Sequence, residues 1–275
     1  MSDHFRAFSF VDRILSDDVG RRIVGEYEIP SEISAFPLSL VAESIGQCAA
    51  MSSMRAVDFR FRPVAGIAGA VDFLGEVKPG DTLKLEADLS RADDEAVEYD
   101  GFATIAGEPV VRLHDCLGPM VPMEDFDDPK AVRARYDRLS GEGAETGVFP
   151  GVPDLACEDV EVTPGESAEG AFQIPESAPF FGDHFPRKPV FPGTLLMHVN
   201  LGVVDALART LPGEGKWIVE GTRDVKLRAF MPPGESLHLV AEVEEIEGDK
   251  AVVFVQSRKG KRRNSGARVR LSRRG

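Results

Sequence analysis

Two stretches of this chain repeat one alternating pattern, and that repetition limits the folds open to it. Leu83, Leu85, Ala87 and Leu89 alternate with Lys84, Glu86 and Asp88 after the turn Pro79-Gly80-Asp81. Leu237, Leu239, Ala241 and Val243 alternate in the same way after Pro233-Gly234-Glu235. A period of two, entered from a Pro-Gly turn, predicts a half-buried strand in each place. Subtracting 83 from 237 gives a displacement of 154 residues, which also brings Gly107 within one residue of Gly260. One residue more sets Glu43 opposite His198. The chain therefore reads as two copies of one α+β unit.

Each copy has the same order of signals. In the first, Phe10–Leu15 and Arg22–Ile29 predict two short strands about the turn Asp17-Asp18-Val19-Gly20. From Ile33 to Met54 the only charged residue is Glu43, among small and apolar neighbours, which predicts a buried helix. Strands over 97–105 and 109–117 follow the strand at Leu83. In the second copy, Leu195, Leu196, Val199, Val203, Val204 and Leu207 predict the matching buried helix. Between the copies, Pro122 to Pro153 is rich in Pro, Gly and acidic residues, with a short amphipathic helix over 129–139. The expected division is a first unit over residues 1–121, a linker over 122–153 and a second unit over 154–275.

The copies differ at one place. Ile29-Pro30 resembles Ile174-Pro175, yet about ten more residues separate the second pair from its helix. Those residues form the stretch Phe181-Gly182-Asp183-His184-Phe185-Pro186-Arg187-Lys188-Pro189-Val190-Phe191-Pro192-Gly193. Prolines at 186, 189 and 192 each fix φ and bias the preceding residue toward extended backbone, so this loop is stiff. It places His184 beside the free N–H groups of a helix start, which suits proton transfer next to a site for developing negative charge. The first copy thus keeps a helix carboxylate and the second a loop histidine.

Charge and composition narrow the rest. A hydrophobic content of 43% with 28% charged residues excludes wholesale disorder. There is no run of 18 apolar residues and no basic-then-apolar start, which predicts neither a membrane span nor a secretory signal and so a cytoplasmic protein. Cys48, Cys116 and Cys157 are far apart, as reduced thiols would be, without metal-ligand spacing. A net charge of −14 argues against nucleic-acid affinity. Nine Lys and Arg, with no acid, crowd residues 258–275, leaving −23 on the remainder. That run reads either as a solvated hairpin edge guarded by charge or as a landing site for an acidic partner.

The pattern His184-Phe185-Pro186-x-x-Pro189-Val190-x-Pro192-Gly193 resembles the signature loop of the hotdog-fold β-hydroxyacyl-[acyl-carrier-protein] dehydratases. Glu43 and Gln47 fall on that family's helix carboxylate and glutamine positions, with Leu38 in place of its glycine. Val11-Asp12-Arg13 and Arg22-Ile23-Val24-Gly25 resemble its opening strands. Arg187 departs from the family's glycine, and His198 with Asn200 occupies the second copy's helix. The resemblance implies a double hotdog, a pseudo-dimer within one chain with further self-association left open. It implies a single composite site with His184 as base and Glu43 as acid, Gly193 polarising the thioester carbonyl, Gln47 orienting Glu43, and the Val190 carbonyl fixing the His184 tautomer. Phe185, Pro189 and Pro192 would line the substrate, with Arg187 and Lys188 either on the phosphopantetheine phosphate or as solvated charge. The activity implied is loss of water from an acyl thioester on acyl carrier protein or CoA, in fatty acid biosynthesis, with no metal and no cofactor beyond the carrier's phosphopantetheine. A catalytically degenerate thioester-binding subunit and a hotdog thioesterase are the alternatives.

Overall fold

A computed structural model describes residues 4–275 of the chain. The elements in the first half are β1 (Arg13–Asp18), β2 (Arg22–Glu28), α1 (Leu38–Ala56), β3 (Phe61–Pro63), β4 (Ile67–Phe73), β5 (Thr82–Ala92), β6 (Ala96–Ile105) and β7 (Glu108–Pro122). After α2 (Pro129–Ser140) come β8 (Glu158–Thr163), β9 (Ser167–Gln173), α3 (Gly193–Ala208), β10 (Lys216–Leu227), β11 (Ser236–Glu247), β12 (Lys250–Lys259) and β13 (Arg262–Arg274).

The strands form one antiparallel sheet in the order β1-β2-β5-β6-β7-β4-β10-β13-β12-β11-β9-β8, with β3 paired to β7 off this path. Read outward from the middle, the two arms carry matching strands: β4 and β10, β7 and β13, β6 and β12, β5 and β11, β2 and β9, β1 and β8. Each arm wraps one helix, α1 against β5 and β6 and α3 against β11 and β9, and the two helices touch. This is a double hotdog. The turn glycines of the repeat, Gly80 with Gly234 and Gly107 with Gly260, all have positive φ, the left-handed geometry that glycine adopts without steric cost.

Both central helices are apolar nearly all round because each lies inside a curled sheet. Leu40, Val41, Ile45, Cys48 and Ala49 are fully buried in α1, as are Leu196, Val203, Val204 and Leu207 in α3. Helix α1 begins at Leu38 rather than Ile33, since Pro37 stays extended (φ −62°, ψ 148°) as its cap. Strand β1 begins at Arg13 rather than Phe10, because Phe8, Phe10 and Val11 turn into the core.

The halves join where β4 pairs with β10, with Thr222 opposite Val71 and Gly221 opposite Asp72. Gly221 has φ +147°, and a Cβ there would lie 2.1 Å from the Val71 carbonyl oxygen. Neither the conformation nor the contact admits a side chain. Gly221→Ala should cost about 3 kcal/mol in chemical denaturation, through backbone strain and parting of the central pair.

One sequence expectation changes. The basic run does not form a guarded edge: β13 lies inside the sheet, between β10 and β12. Several of its arginines are paired, Arg268 with Asp224 and Glu244, Arg270 with Asp72, Arg273 with Asp249. The segment between the halves packs on the first half through its short helix. Asp128 caps α2 by accepting from the Lys130 N–H, and Val132, Tyr136 and Leu139 are buried, with the Tyr136 hydroxyl donating to Asp17 at 2.8 Å. No helix among the described residues is long and apolar enough to cross a membrane.

Candidate active site

A cavity of about 270 Å³ opens at the join of the two halves. Its wall takes Glu43, Gln47, Met51 and Met54 from α1 and Gly193, Thr194 and Met197 from α3. His184, Phe185 and Val190 come from the proline-rich loop, and Arg62 from β3. Most of the remaining surface is apolar, running inward to Val97, Tyr99 and Leu113 on β6 and β7.

The loop holds His184 through its own backbone. The His184 N–H donates to the Phe180 carbonyl at 2.8 Å, and the Val190 N–H donates to the His184 carbonyl at 2.9 Å. The ring Nδ1 lies 2.8 Å from the Val190 carbonyl oxygen. A carbonyl only accepts, so Nδ1 carries the proton and Nε2 keeps a bare lone pair. The ring stacks on Phe185 (centroids 4.1 Å apart) and meets the Phe8 ring edge-on at 5.6 Å. Burial pushes its pKa down to about 4, the Val190 bond opposes that, and the Arg62 charge adds to it. Near pH 7 the imidazole is neutral.

Glu43 projects from the opposite side. Its Oε1 accepts from Gln47 Nε2 at 3.0 Å and its Oε2 from the Thr194 hydroxyl at 2.8 Å. The Gln47 amide is itself fixed, since its Oε1 accepts from the Phe10 N–H (2.8 Å) and its Nε2 donates to the Phe8 carbonyl (3.1 Å). Burial raises the Glu43 pKa; the bonds from Gln47 and Thr194 and the charge of Arg62 pull the other way. A neutral imidazole and a carboxyl favoured in its protonated form therefore face one apolar cavity, which allows one to accept a proton as the other gives one.

The Gly193 N–H, at the first turn of α3, bonds no acceptor among the described residues and lies in the cavity wall. An N–H left free at a helix start can donate to an oxygen placed beside it. A Cβ at Gly193 would stand 2.3 Å from Leu227 Cδ1. Pro192 is buried outside the cavity wall, and Arg187, Lys188 and Pro189 are exposed. Arg187 donates to the Glu124 carbonyl at 2.8 Å, while Lys188 Nζ lies over the rings of Phe126 and Phe230 at 4.8 and 5.2 Å. Since Phe230 lines the cavity and is 41% exposed, Lys188 stands at its mouth. His198 is half-buried on α3 outside this cavity, with its pKa lowered by burial.

Sequence reasoning did not single out Thr194, Arg62 or Asp183. Thr194 follows Gly193 directly, and its place one step into the helix was the available signal. Arg62 sits in a three-residue strand with no periodicity to read; its guanidinium lies 3.7 Å over the Phe185 ring and 3.4 Å from Asp127 Oδ2. Burial holds its pKa down at about 10, opposed by Asp127 and Glu43. Among the described residues no group of three His, Cys, Asp or Glu is placed to hold a metal ion.

Thr194→Val should remove one of the three influences that restrain the Glu43 pKa. The alkaline limb of any activity that needs protonated Glu43 is expected to move to higher pH, and stability to fall by about 1 kcal/mol.

The family model described as ApeI dehydratase matches residues 160–267. Among curated proteins the chain is similar to the 3-hydroxyacyl-[acyl-carrier-protein] dehydratase FabZ of Natranaerobius thermophilus, 33% identical over 90 residues, or 32% of this chain and 63% of that protein. It is 33% identical over 119 residues to FabZ of Geobacillus sp. (strain WCH70), covering 39% of this chain and 81% of that protein. The chain thus spans less than two thirds of the first relative and most of the second. Among solved structures, a putative oleoyl thioesterase from Lactobacillus plantarum gives a TM-score of 0.58 at 11% identity, covering 93% of this chain and 98% of that one. The dehydratase domain of PpsC from Mycobacterium tuberculosis, in complex with C12:1-CoA, gives 0.57 at 16% identity, covering 98% and 100%. Those two likenesses establish the fold. The Geobacillus FabZ match, at 33% identity over 81% of that protein, shows that this chain belongs to the hotdog-fold β-hydroxyacyl-[acyl-carrier-protein] dehydratase family.

Proposed function

We propose that the chain eliminates water from a β-hydroxyacyl thioester to give a trans-2-enoyl thioester, at one composite site between its halves. The observation that carries this reading is the pair described above: the bare Nε2 of His184 and the carboxyl of Glu43, supplied by different halves to one apolar cavity. His184 Nε2 takes a proton from C2, and the electrons of that C–H bond form the C2–C3 double bond. The C3–O bond breaks as Glu43 protonates the departing hydroxyl, and water leaves. The Gly193 N–H stabilises the negative charge that gathers on the thioester oxygen, a contribution typically worth about 3 kcal/mol. Gln47 and Thr194 hold the carboxyl in place. No electron acceptor enters this balance.

The acyl chain would lie along the apolar wall toward Tyr99 and Met54, with Phe185 beside the thioester. The phosphopantetheine arm would leave past Phe230, where Lys188, with Arg187 beside it in sequence, is a candidate contact for its phosphate. Acyl carrier protein or CoA would carry the substrate. The domains proposed are a first unit over residues 1–121, a linker over 122–153 docked against it, and a second unit over 154–275.

The test is to supply crotonyl thioesters on CoA and on a carrier protein, following loss of the enoyl absorbance and appearance of free thiol. Hydration without thiol release is the expected outcome. Thiol release would favour a thioesterase, and binding without turnover a degenerate subunit.

A further inference from the structure

The segment Phe5–Phe10 lies across the join and is bonded to both sides of the cavity. On the loop side, the buried carboxylate of Asp183, next in sequence to His184, accepts from the N–H of Phe8 at 2.7 Å and from the N–H of Phe5. On the helix side, the carbonyl of Phe8 accepts from Gln47 Nε2 and the N–H of Phe10 donates to Gln47 Oε1. The Phe8 ring meets the His184 ring edge-on, and Phe5, Phe8 and Ser9 form part of the cavity wall. The segment has two further anchors. His4 Nε2 lies 3.2 Å from Asp127 Oδ2, the oxygen that also pairs with Arg62, and Arg135 of α2 donates to the Val11 carbonyl at 3.1 Å.

A continuous bonded path therefore runs from the residue beside His184, through the backbone of Phe8, to the amide that orients Glu43. Residues on either side of the site belong to different halves, so their separation depends on whatever spans the join. We infer that Phe5–Phe10 is a strap that sets the distance between His184 and Glu43, with Asp183 as a positioning residue. This inference rests on the dehydratase reading. A carboxyl at Asp183 is suited to the task because its two oxygens accept two backbone N–H groups at once, a geometry a neutral side chain reproduces only in part.

The test is a double-variant cycle in the full chain. Asp183→Ala removes the acceptor, and Phe8→Pro removes one of its donors. Each should lower kcat for dehydration about 100-fold with KM changed less than about threefold, the signature of a displaced base or acid rather than of weakened binding. Asp183→Asn, which keeps one acceptor oxygen, should restore at least a tenth of the wild-type kcat. The double variant should fall no further than about threefold below Phe8→Pro alone, since Phe8→Pro removes the ring beside His184 as well as the N–H that Asp183 holds. Losses that multiply, or an Asp183→Ala effect confined to KM, overturn the inference while leaving the dehydratase reading intact. If the wild type dehydrates no thioester, that reading fails, and hydrogen exchange decides the strap by itself. Faster exchange over residues 5–10 and over the His184 loop in Asp183→Ala supports it, and unchanged exchange overturns it.

Discussion

Glu43→Gln is expected to lower kcat for dehydration by about 10³-fold while leaving the fold intact, and His184→Ala by a similar factor. General acid–base groups contribute 10²–10⁴-fold, and each variant removes one of the two. The glutamine is nearly isosteric with glutamate. Its carbonyl oxygen can still accept from Gln47 Nε2, and its amide group can still meet the Thr194 hydroxyl, but it has no proton to give. The sign of its effect on stability follows from the raised Glu43 pKa. An unfolded chain loses that proton near 4.5, whereas the folded chain keeps it to higher pH. Wild-type stability therefore declines as pH rises from about 4.5 through the folded value, and the Gln variant escapes that decline. Denaturation at pH 5 and pH 8 should show Glu43→Gln gaining relative to wild type at the higher pH. His184→Ala should bring the opposite pH dependence: the unfolded imidazole takes a proton near 6.5 and the folded one only at about 4, so its wild-type counterpart weakens as pH falls between those values.

Truncation after Ser257 is expected to abolish folding, whatever the salt concentration. It deletes β13, whose neighbours are β10 on one side and β12 on the other. Ala267, Val269 and Leu271 are each no more than 2% exposed. Burial of Val269 and Leu271 alone stabilises the fold by about 3–6 kcal/mol, and two ladders of hydrogen bonds go with them. Since a domain's whole stability is about 5–15 kcal/mol, the truncated chain should lack a cooperative melting transition. A truncated chain that melts cooperatively would show the run to be a dispensable basic tail.

That strand also shows where the sequence was legible and where it was not. The alternation of Ala267, Val269 and Leu271 with Arg268, Arg270 and Arg273 nearby carries the signal of a half-buried strand, but nine basic residues drew attention to charge instead of period. Arg268 and Arg270 lie on the outer face, where Asp72, Asp224 and Glu244 meet them from distant parts of the chain, and Arg273 pairs with Asp249 near the strand's end. The strand pattern within each copy, the two buried helices and the His184 loop were readable because each rests on spacing within about 20 residues. The join was not. Strands β4 and β10 show weak alternation, and their pairing is a contact between residues about 150 apart. Thr194 and Arg62 were missed for the same reason, since their importance comes from partners in the other half or in a separate loop.

The central claim is that one imidazole and one carboxyl act as a unit on a single substrate across the join. The measurement that tests it most directly is kcat for dehydration of a 3-hydroxyacyl thioester by the wild type, His184→Ala, Glu43→Gln and the double variant. Groups that share one transition state are strongly non-additive, so the double variant should fall within about threefold of the weaker single. Activity in either single variant equal to wild type, or losses that multiply in the double, would contradict the account.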